Sequence, residues 1–235
     1  MSEIFDETRT RQEGEIRQRH LRIGLMGPVG AGKTALSQVL GESWGVTPIE
    51  EDFGLNPHLE DFYEFPEDNS FKSQSWFLVR KIKQLESLTT DYTEIIDPAL
   101  EMDYLYAKVQ HDIGWMTDTE WQTYRMLYDT HTHASQVREP DIFVVINAPV
   151  DILTQRIRKR GREFELWMLD KKPEYLERLQ FAVSSWTWEA SDYTEVIPVN
   201  SGEIDYVTID HHRKMVVSYI EDMMIKIRKN RIIKA

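Results

Sequence analysis

Residues 27–34 read Gly-Pro-Val-Gly-Ala-Gly-Lys-Thr and match the pattern G-x-x-x-x-G-K-[ST] of a phosphate-binding loop. An apolar, strand-like run occupies residues 21–26, and a helix-like run begins at Thr34. The glycines allow the backbone to curl so that its N–H groups point at phosphate oxygens, and the positive end of the following helix adds to that attraction. The motif therefore predicts a strand–loop–helix unit that binds a nucleotide. The alternative is a glycine-rich turn without a ligand.

The loop motif also assigns individual contacts to the donor nucleotide. Lys33 is predicted to reach the β- and γ-phosphates of ATP, and the Thr34 hydroxyl is predicted to bind Mg²⁺. The residues predicted to hold the phosphates are Gly27, Gly30, Ala31, Gly32, Lys33 and Thr34.

The composition restricts the kind of protein. The 235 residues, 41% of them hydrophobic, suffice for one α/β domain with a full core. A formal charge of −12 argues against a nucleic-acid polymer as a partner, and the absence of cysteine excludes disulfides and thiolate metal sites. The charged N-terminus is unlike a signal peptide and no run is long enough to cross a membrane, so we expect a cytoplasmic location. We predict a charged extension over residues 1–19 and a single domain over residues 20–235.

Short apolar runs alternate with helix-like runs along the chain. The predicted strands cover residues 21–26, 46–50, 94–97, 142–147 and 195–199. The predicted helices cover residues 33–43, 70–87, 100–111, 118–136, 150–160, 173–189 and 206–228. This alternation predicts an α/β fold, with about five parallel strands and helices on both faces of the sheet. Ligands of such sheets bind at the carboxyl ends of the strands, so we expect the site residues just after each strand.

Three acidic residues stand at predicted strand ends. Glu50 and Glu51 end the second strand, and Asp97 ends the third. A carboxylate beside a phosphate loop can hold Mg²⁺ or orient a nucleophilic hydroxyl group. A solvated acid at a strand end is an equally good interpretation of Asp97 alone.

An arginine cluster surrounds Gly161. Arg156 and Arg160 are four residues apart and share a helix face, while Gly161 ends the helix and lets Arg162 fold back. In a chain that also carries a phosphate loop, this cluster predicts an arginine-rich lid that closes on triphosphate charge. The alternative is a solvated helix end whose positive charges complement the helix dipole.

Four segments together resemble the deoxynucleoside kinases. Residues 51–63 resemble the E-x-V-x-x-N-P-x-L-x-x-F-Y segment of that family, and residues 66–78 resemble its P-E-x-W-x-F-x-x-Q helix. Residues 160–165 and 174–179 resemble its lid and the E-Y-L-x-x-L helix that follows. The resemblance implies a P-loop kinase fold that transfers the γ-phosphoryl group of ATP, with Mg²⁺, to the 5′-hydroxyl of a deoxynucleoside.

The resemblance also implies a role for each matching residue. For the acceptor these residues are Glu51 (general base for the 5′-hydroxyl), Tyr63 and Glu165 (3′-hydroxyl), Gln74 (nucleobase), and Phe71, Trp76 and Phe77 (base pocket). For the donor they are Arg156, Arg160 and Arg162 (phosphates), Asp205 and Tyr206 (adenine), and Thr34 and Asp97 (Mg²⁺). Members of the family are mostly dimeric. We therefore expect a homodimer built on the helices of residues 100–136, whose many aromatic side chains we expect to be exposed.

One position departs from the family pattern. The family usually has an acidic residue followed by Arg-Ser after the third strand, whereas this chain has Asp97 followed by Pro98 and Ala99. Proline carries no charge, and Arg80 or Lys81 is a candidate to compensate. Lys81 is also expected to form a buried pair with Asp103 in the base pocket. The family pattern then implies deoxyadenosine, deoxyguanosine or deoxycytidine as the acceptor in preference to thymidine.

Two other functions remain open on the sequence. A nucleoside monophosphate kinase would need cations for the acceptor phosphate, and Lys72, Arg80 and Lys81 are available. A non-catalytic nucleotide-binding subunit is favoured by Pro98, but the retained sugar-binding set argues against it.

Overall fold

The computed structural model describes residues 21–88, 93–134 and 137–234. The predicted extension at residues 1–19 lies outside the described residues. The strands are β1 (Arg22–Met26), β2 (Ile49–Glu50), β3 (Glu94–Asp97), β4 (Ile142–Asn147) and β5 (Val196–Asn200). The helices are α1 (Lys33–Trp44), α2 (Leu59–Glu64), α3 (Pro66–Glu86), α4 (Leu100–Asp112), α5 (Asp118–Ala134), α6 (Val150–Arg160), α7 (Glu163–Lys171), α8 (Glu174–Ala190) and α9 (Asp210–Lys234), and a 3₁₀ turn covers Phe53–Leu55.

The five strands form one parallel sheet in the order β2-β3-β1-β4-β5. This confirms the predicted α/β fold with about five parallel strands. In the register of β2 and β3, Glu50 lies opposite Asp97. The phosphate loop leaves the end of β1, which is the neighbour of β3. The candidate carboxylates and the phosphate loop are therefore brought to the same edge of the sheet.

Helices cover both faces of the sheet. On one face, Leu36 and Leu40 of α1 pack with Ile220 of α9 against the strands. On the other face, Met102 of α4 and Leu179 of α8 are buried against β1 and β4. Every residue of β1 is buried, as expected of a strand covered on both sides.

Several local features differ from the sequence prediction, and helix α3 begins at Pro66 instead of residue 70. Strand β2 has two residues instead of the predicted five, because Val46 donates its N–H to the Gly41 carbonyl (2.9 Å) and Pro48 has no N–H to donate. Helices α2 and α7 were not predicted. The last helix begins at Asp210 and not at residue 206, because the Asp205 carboxylate accepts the N–H groups of Val207 and Thr208 and stabilises a turn there.

The aromatic residues of α4, α5 and their connection face inward. Tyr124 is fully buried and Trp115 is 2% exposed, while Tyr104 packs on Trp121 and Tyr128. Trp115 and Tyr124 therefore belong to the core of one chain, against the predicted exposure, whereas Tyr104, Tyr106, Trp121 and Tyr128 are only partly buried and the homodimer stays a prediction. Within the described residues, no helix has the length and apolar character needed to cross a membrane.

Candidate active site

The phosphate loop lies between β1 and α1 and has an open helix N-terminus. Gly32 precedes α1 with φ +99°, and no side chain in the described part of the chain caps the first turn. The N–H groups of that turn are therefore available to an anion. The Lys33 ammonium donates to the carbonyls of Gly27 (2.7 Å) and Pro28 (3.1 Å), and burial lowers its pKa to about 8. Thr34 is exposed at the start of the helix.

Side chains from outside the loop bond to its carbonyl groups. The Ser201 hydroxyl donates to the Ala31 carbonyl (2.8 Å), and the Tyr206 hydroxyl donates to the Gly32 carbonyl (3.1 Å). The Arg156 guanidinium donates to both Ser201 and the Ala31 carbonyl. These contacts hold the outer side of the loop and leave its inner side free.

This arrangement changes the interpretation of three predicted donor residues. Arg156 does not line the cavity, because its guanidinium is occupied behind the loop. Tyr206 is 2% exposed and packs in the core under Gly32, so its ring offers no free face for stacking on adenine. Asp205 bonds to its own turn.

A cavity of about 570 Å³ opens beside the loop and contains most of the predicted acceptor residues. Its lining includes Gly30, Gly32, Lys33, Thr34, Glu50, Glu51, Tyr63, Gln74, Phe77, Asp97, Pro98, Asp103, Arg160, Arg162 and Glu165. Phe71 and Trp76, which were predicted to line the base pocket, are outside this lining; Trp76 packs edge-on against Phe77 (5.5 Å). A larger polar hollow of about 850 Å³ lies at the opposite ends of β4 and β5 and contains none of the predicted residues.

Glu51 and Asp97 are held together at the strand ends. The Glu51 N–H donates to the Asp97 carbonyl (3.0 Å). Asp97 is 3% exposed, and its Oδ1 has no hydrogen-bond donor among the described residues. Glu51 has a buried Oε1 without a hydrogen bond, whereas Glu50 is exposed and accepts from Gln38 (3.2 Å). Of the two neighbours, Glu51 is the better placed to act inside the cavity.

Two buried polar groups, Gln74 and Asp103, also line the cavity. Gln74 and Asp103 are 5% and 1% exposed, and Gln74 Oε1 and Asp103 Oδ2 have no hydrogen-bond partner among the described residues. Burial, and then the nearby Glu51 carboxylate, raise the pKa of Asp103 well above its usual range. The expected Asp103–Lys81 pair does not form, because the Lys81 ammonium lies 3.4 Å from Glu51 Oε1 instead.

The carboxylate of Glu165 binds both lid arginines, Arg160 and Arg162. Arg160 makes two hydrogen bonds to Glu165 (2.6 and 2.8 Å), and Arg162 lies 3.4 Å from the same group. Gly161 ends α6 with φ +72°, which lets the chain turn so that both arginines reach Glu165. The Arg162 guanidinium also lies over the Phe53 ring, 4.3 Å from its centroid. The predicted lid therefore converges on the cavity through Arg160 and Arg162.

Several lining residues were missed by the sequence analysis, among them Phe164, Gln110, Tyr175 and Tyr106. Phe164 stacks on Tyr63 (4.3 Å between centroids) and connects the lid to the acceptor side. Gln110 is fully buried and donates from Nε2 to the Tyr175 hydroxyl (3.2 Å), and burial raises the pKa of Tyr175 to about 12. Tyr106 completes the wall. A spacing of seven residues after Asp103 could have indicated Gln110, because the two share a helix face.

A parallel sheet with a phosphate loop after its first strand and arginines converging on the same cavity defines a P-loop kinase fold. The profile of the family described as "Deoxynucleoside kinase" matches residues 23–226. The chain therefore belongs to the deoxynucleoside kinase family, and it is an enzyme of the kinase class.

Individual relatives are similar over most of their length. The chain is 31% identical to a deoxyguanosine kinase of Lactobacillus johnsonii over 84% of this chain and 90% of that protein. It is 27% identical to a deoxyadenosine kinase of Lactobacillus acidophilus over 87% of this chain and 97% of the relative. The solved structure of deoxyadenosine kinase from M. mycoides with bound dCTP has the same fold, with a TM-score of 0.75 and 24% identity over 86% of this chain and 100% of that chain.

Proposed function

We propose that this enzyme phosphorylates the 5′-hydroxyl of a deoxynucleoside with ATP, as a step in nucleotide salvage in the cytoplasm. The observation that carries the proposal is the single cavity in which the phosphate loop, Glu51 and the buried pair Gln74 and Asp103 meet. A donor phosphate at the loop and a nucleoside base at Gln74 would place the sugar between them, beside Glu51. The names of the relatives support a deoxynucleoside as the acceptor.

The proposed chemistry is in-line transfer assisted by positioning and charge. Glu51 takes the proton of the 5′-hydroxyl as that oxygen attacks the γ-phosphorus, and the bond between the γ-phosphorus and the β,γ-bridging oxygen breaks to release ADP. Lys33 and the N–H groups of the loop hold the donor phosphates, and Arg160 and Arg162 stabilise the negative charge that develops in transfer. Tyr63 and Glu165 hold the 3′-hydroxyl, which orients the sugar.

A Mg²⁺ ion fits the residues at the strand ends. Asp97 offers a buried carboxylate oxygen that lacks a donor, and Thr34 offers an exposed hydroxyl on the same cavity. Carboxylate and hydroxyl oxygens are hard ligands of the kind that Mg²⁺ prefers. Bound there with the donor, the ion would supply positive charge to the phosphates.

The acceptor base is proposed to be adenine, guanine or cytosine in preference to thymine. Gln74 and Asp103 are buried with unpaired polar atoms, and leaving such groups unmatched by the ligand is costly. The raised pKa of Asp103 favours its protonated form, which can donate as well as accept a hydrogen bond. The relatives named as deoxyguanosine and deoxyadenosine kinases agree with this choice.

The monophosphate-kinase alternative is weakened by the charges at the acceptor end. Of its three candidate cations, Lys72 is exposed and bonds to Asn69 (2.8 Å), and neither Arg80 nor Lys81 lines the cavity. The Glu51 carboxylate, which also lines this cavity, would repel an acceptor phosphate. A homodimer remains a proposal, with exposed Met126 and Val79 as apolar candidates for its surface.

The decisive test is an ATP-consumption screen against the four deoxynucleosides and their monophosphates, with Lys33→Ala as the inactive control. We expect turnover with one or more of deoxyadenosine, deoxyguanosine and deoxycytidine, and a lower kcat/KM with thymidine. Turnover with monophosphates alone would favour the alternative kinase. ATP binding without turnover on any acceptor would favour a non-catalytic subunit.

A further inference from the structure

We infer that Lys81 is a positioning residue for the general base: its buried ammonium holds the Glu51 carboxylate and supplies the positive charge that Pro98 cannot. The inference rests on the proposed function, because it assumes that Glu51 accepts the proton of the 5′-hydroxyl. It assigns Lys81 to the reacting end of the cavity and not to recognition of the nucleobase.

Burial favours an oppositely charged partner for Lys81. Lys81 is 1% exposed, and the side chain of Glu51 is 19% exposed with a buried Oε1. An isolated ammonium or carboxylate is costly to remove from water. The Lys81 Nζ lies 3.4 Å from Glu51 Oε1, and its charge also acts on the nearby carboxyl group of Asp103. This separation is longer than a good hydrogen bond, so the ammonium acts on Glu51 chiefly through its charge.

The location of Lys81 argues against direct contact with the acceptor. Its side chain lines a separate cavity of about 250 Å³ with Arg80, Lys83 and Gln84, on which Glu51 also borders. Lys81 is absent from the lining of the acceptor cavity, to which both Glu51 and Asp103 belong. Glu51 therefore stands between the lysine and the substrate. A residue behind the general base can hold its geometry and its charge without touching the nucleoside.

The sequence offered two cations in place of the missing arginine, and the structure separates them. Arg80 is exposed on α3, and it makes no ion pair within the described residues. Lys81, the next residue, points inward because the buried face of α3 carries Gln74, Phe77 and Lys81 at helical spacing. The missing charge is thus supplied from a helix instead of from the loop after β3.

A double-mutant cycle tests this assignment. We would compare Lys81→Met and Lys81→Arg in the wild type and Lys81→Met in the Glu51→Gln background, with Lys83→Met as an exposed control on the same helix. We expect Lys81→Met to lower kcat by roughly 10-fold or more with the acceptor KM changed less than about 3-fold, since it removes an interaction that assists the chemical step. Lys81→Arg should recover most of kcat, and Lys83→Met should resemble the wild type.

The Glu51→Gln background identifies the route of the effect. If Lys81 acts through Glu51, Lys81→Met should reduce kcat by less than about 2-fold once the carboxylate is absent. An equal loss in both backgrounds would overturn the inference. So would a Lys81→Met variant that keeps kcat but changes the preference among deoxynucleosides, since that result assigns Lys81 to the base.

Thermal unfolding gives a readout that does not depend on activity. Removing one member of a buried ion pair leaves an uncompensated charge, so Lys81→Met should lower Tm by about 5 °C or more. Adding Glu51→Gln should recover most of that loss. Independent, additive Tm shifts would overturn the pairing itself. An intact thermal cycle in a protein without kinase activity would instead reject the proposed function.

Discussion

Glu101 carries a stability cost that a single substitution should remove. It lies in the first turn of α4 with Oε2 buried and without a hydrogen bond among the described residues. Burial, with a smaller contribution from Glu139, raises its pKa from the usual 4.5 to about 7. The folded protein therefore keeps this proton up to about pH 7, whereas the unfolded chain releases it near pH 4.5. Between these values the folded state binds more protons, so stability falls as pH rises.

The size of the effect follows from the two pKa values. A difference of this size corresponds to roughly 3 kcal/mol above pH 7, and to less than about 1 kcal/mol at pH 5. Glu101→Gln cannot ionise, so it should raise the free energy of unfolding by up to that amount at pH 8.5. For a chain of this size the gain is about 6–12 °C in Tm.

The assay is thermal or urea unfolding of Glu101→Gln and wild type between pH 5 and pH 8.5. Glu203→Gln, at an exposed loop position, controls for the loss of one negative charge. The reasoning fails if Glu101→Gln gives the same gain at both ends of the pH range, or if it gives no gain at pH 8.5.

Two substitutions test the phosphate loop and the general base. Gly32→Ala should raise the KM for ATP more than 10-fold and lower Tm, because its Cβ would lie 2.5 Å from the Tyr206 hydroxyl. The control is Gly114→Ala, which also places alanine at a positive φ but where the added Cβ meets no atom within 4 Å. A similar fall in Tm for this control would attribute the fall in Gly32→Ala to backbone strain alone. Glu51→Gln should reduce kcat by roughly 10²-fold with little change in the acceptor KM, because it removes the general base. Glu50→Gln should remain active. Steady-state kinetics in which Glu50→Gln is the inactive variant would assign the general base to Glu50.

The regular part of the fold was predictable because local pattern and tertiary structure agree there. Strands β3 and β4 and helix α6 have the predicted bounds, since each is a continuous apolar or amphipathic run with clear end signals. Helix α2 has six residues, too few for a periodic pattern, and was missed. Helix α7 begins two residues after Gly161, next to the segment predicted to form the lid, and it was missed.

The motifs brought many of the predicted residues to one cavity, including the loop residues, Glu51 and Gln74, but they did not predict how every side chain is oriented. The sequence could not show that Tyr206 points into the core, or that Lys81 reaches Glu51 instead of Asp103. Helical spacing places side chains on a face, but their partners depend on the neighbouring helices. The exposure of the aromatic residues of α5 could not be predicted for the same reason, since a broad apolar face fits a protein core and a dimer interface equally well.

The hydrogen bonds on the outer side of the phosphate loop affect the entropic cost of binding a nucleotide. Ser201, Arg156 and Tyr206 fix the carbonyl groups of Ala31 and Gly32 from outside the loop. Ordering a residue's backbone costs about 1–2 kcal/mol, and here that cost is met when the chain folds. An arriving nucleotide therefore finds the loop already shaped and loses little affinity to ordering it. Ser201 and Tyr206 follow β5 and are distant in sequence from the phosphate loop, yet they contribute to how tightly the donor nucleotide is held.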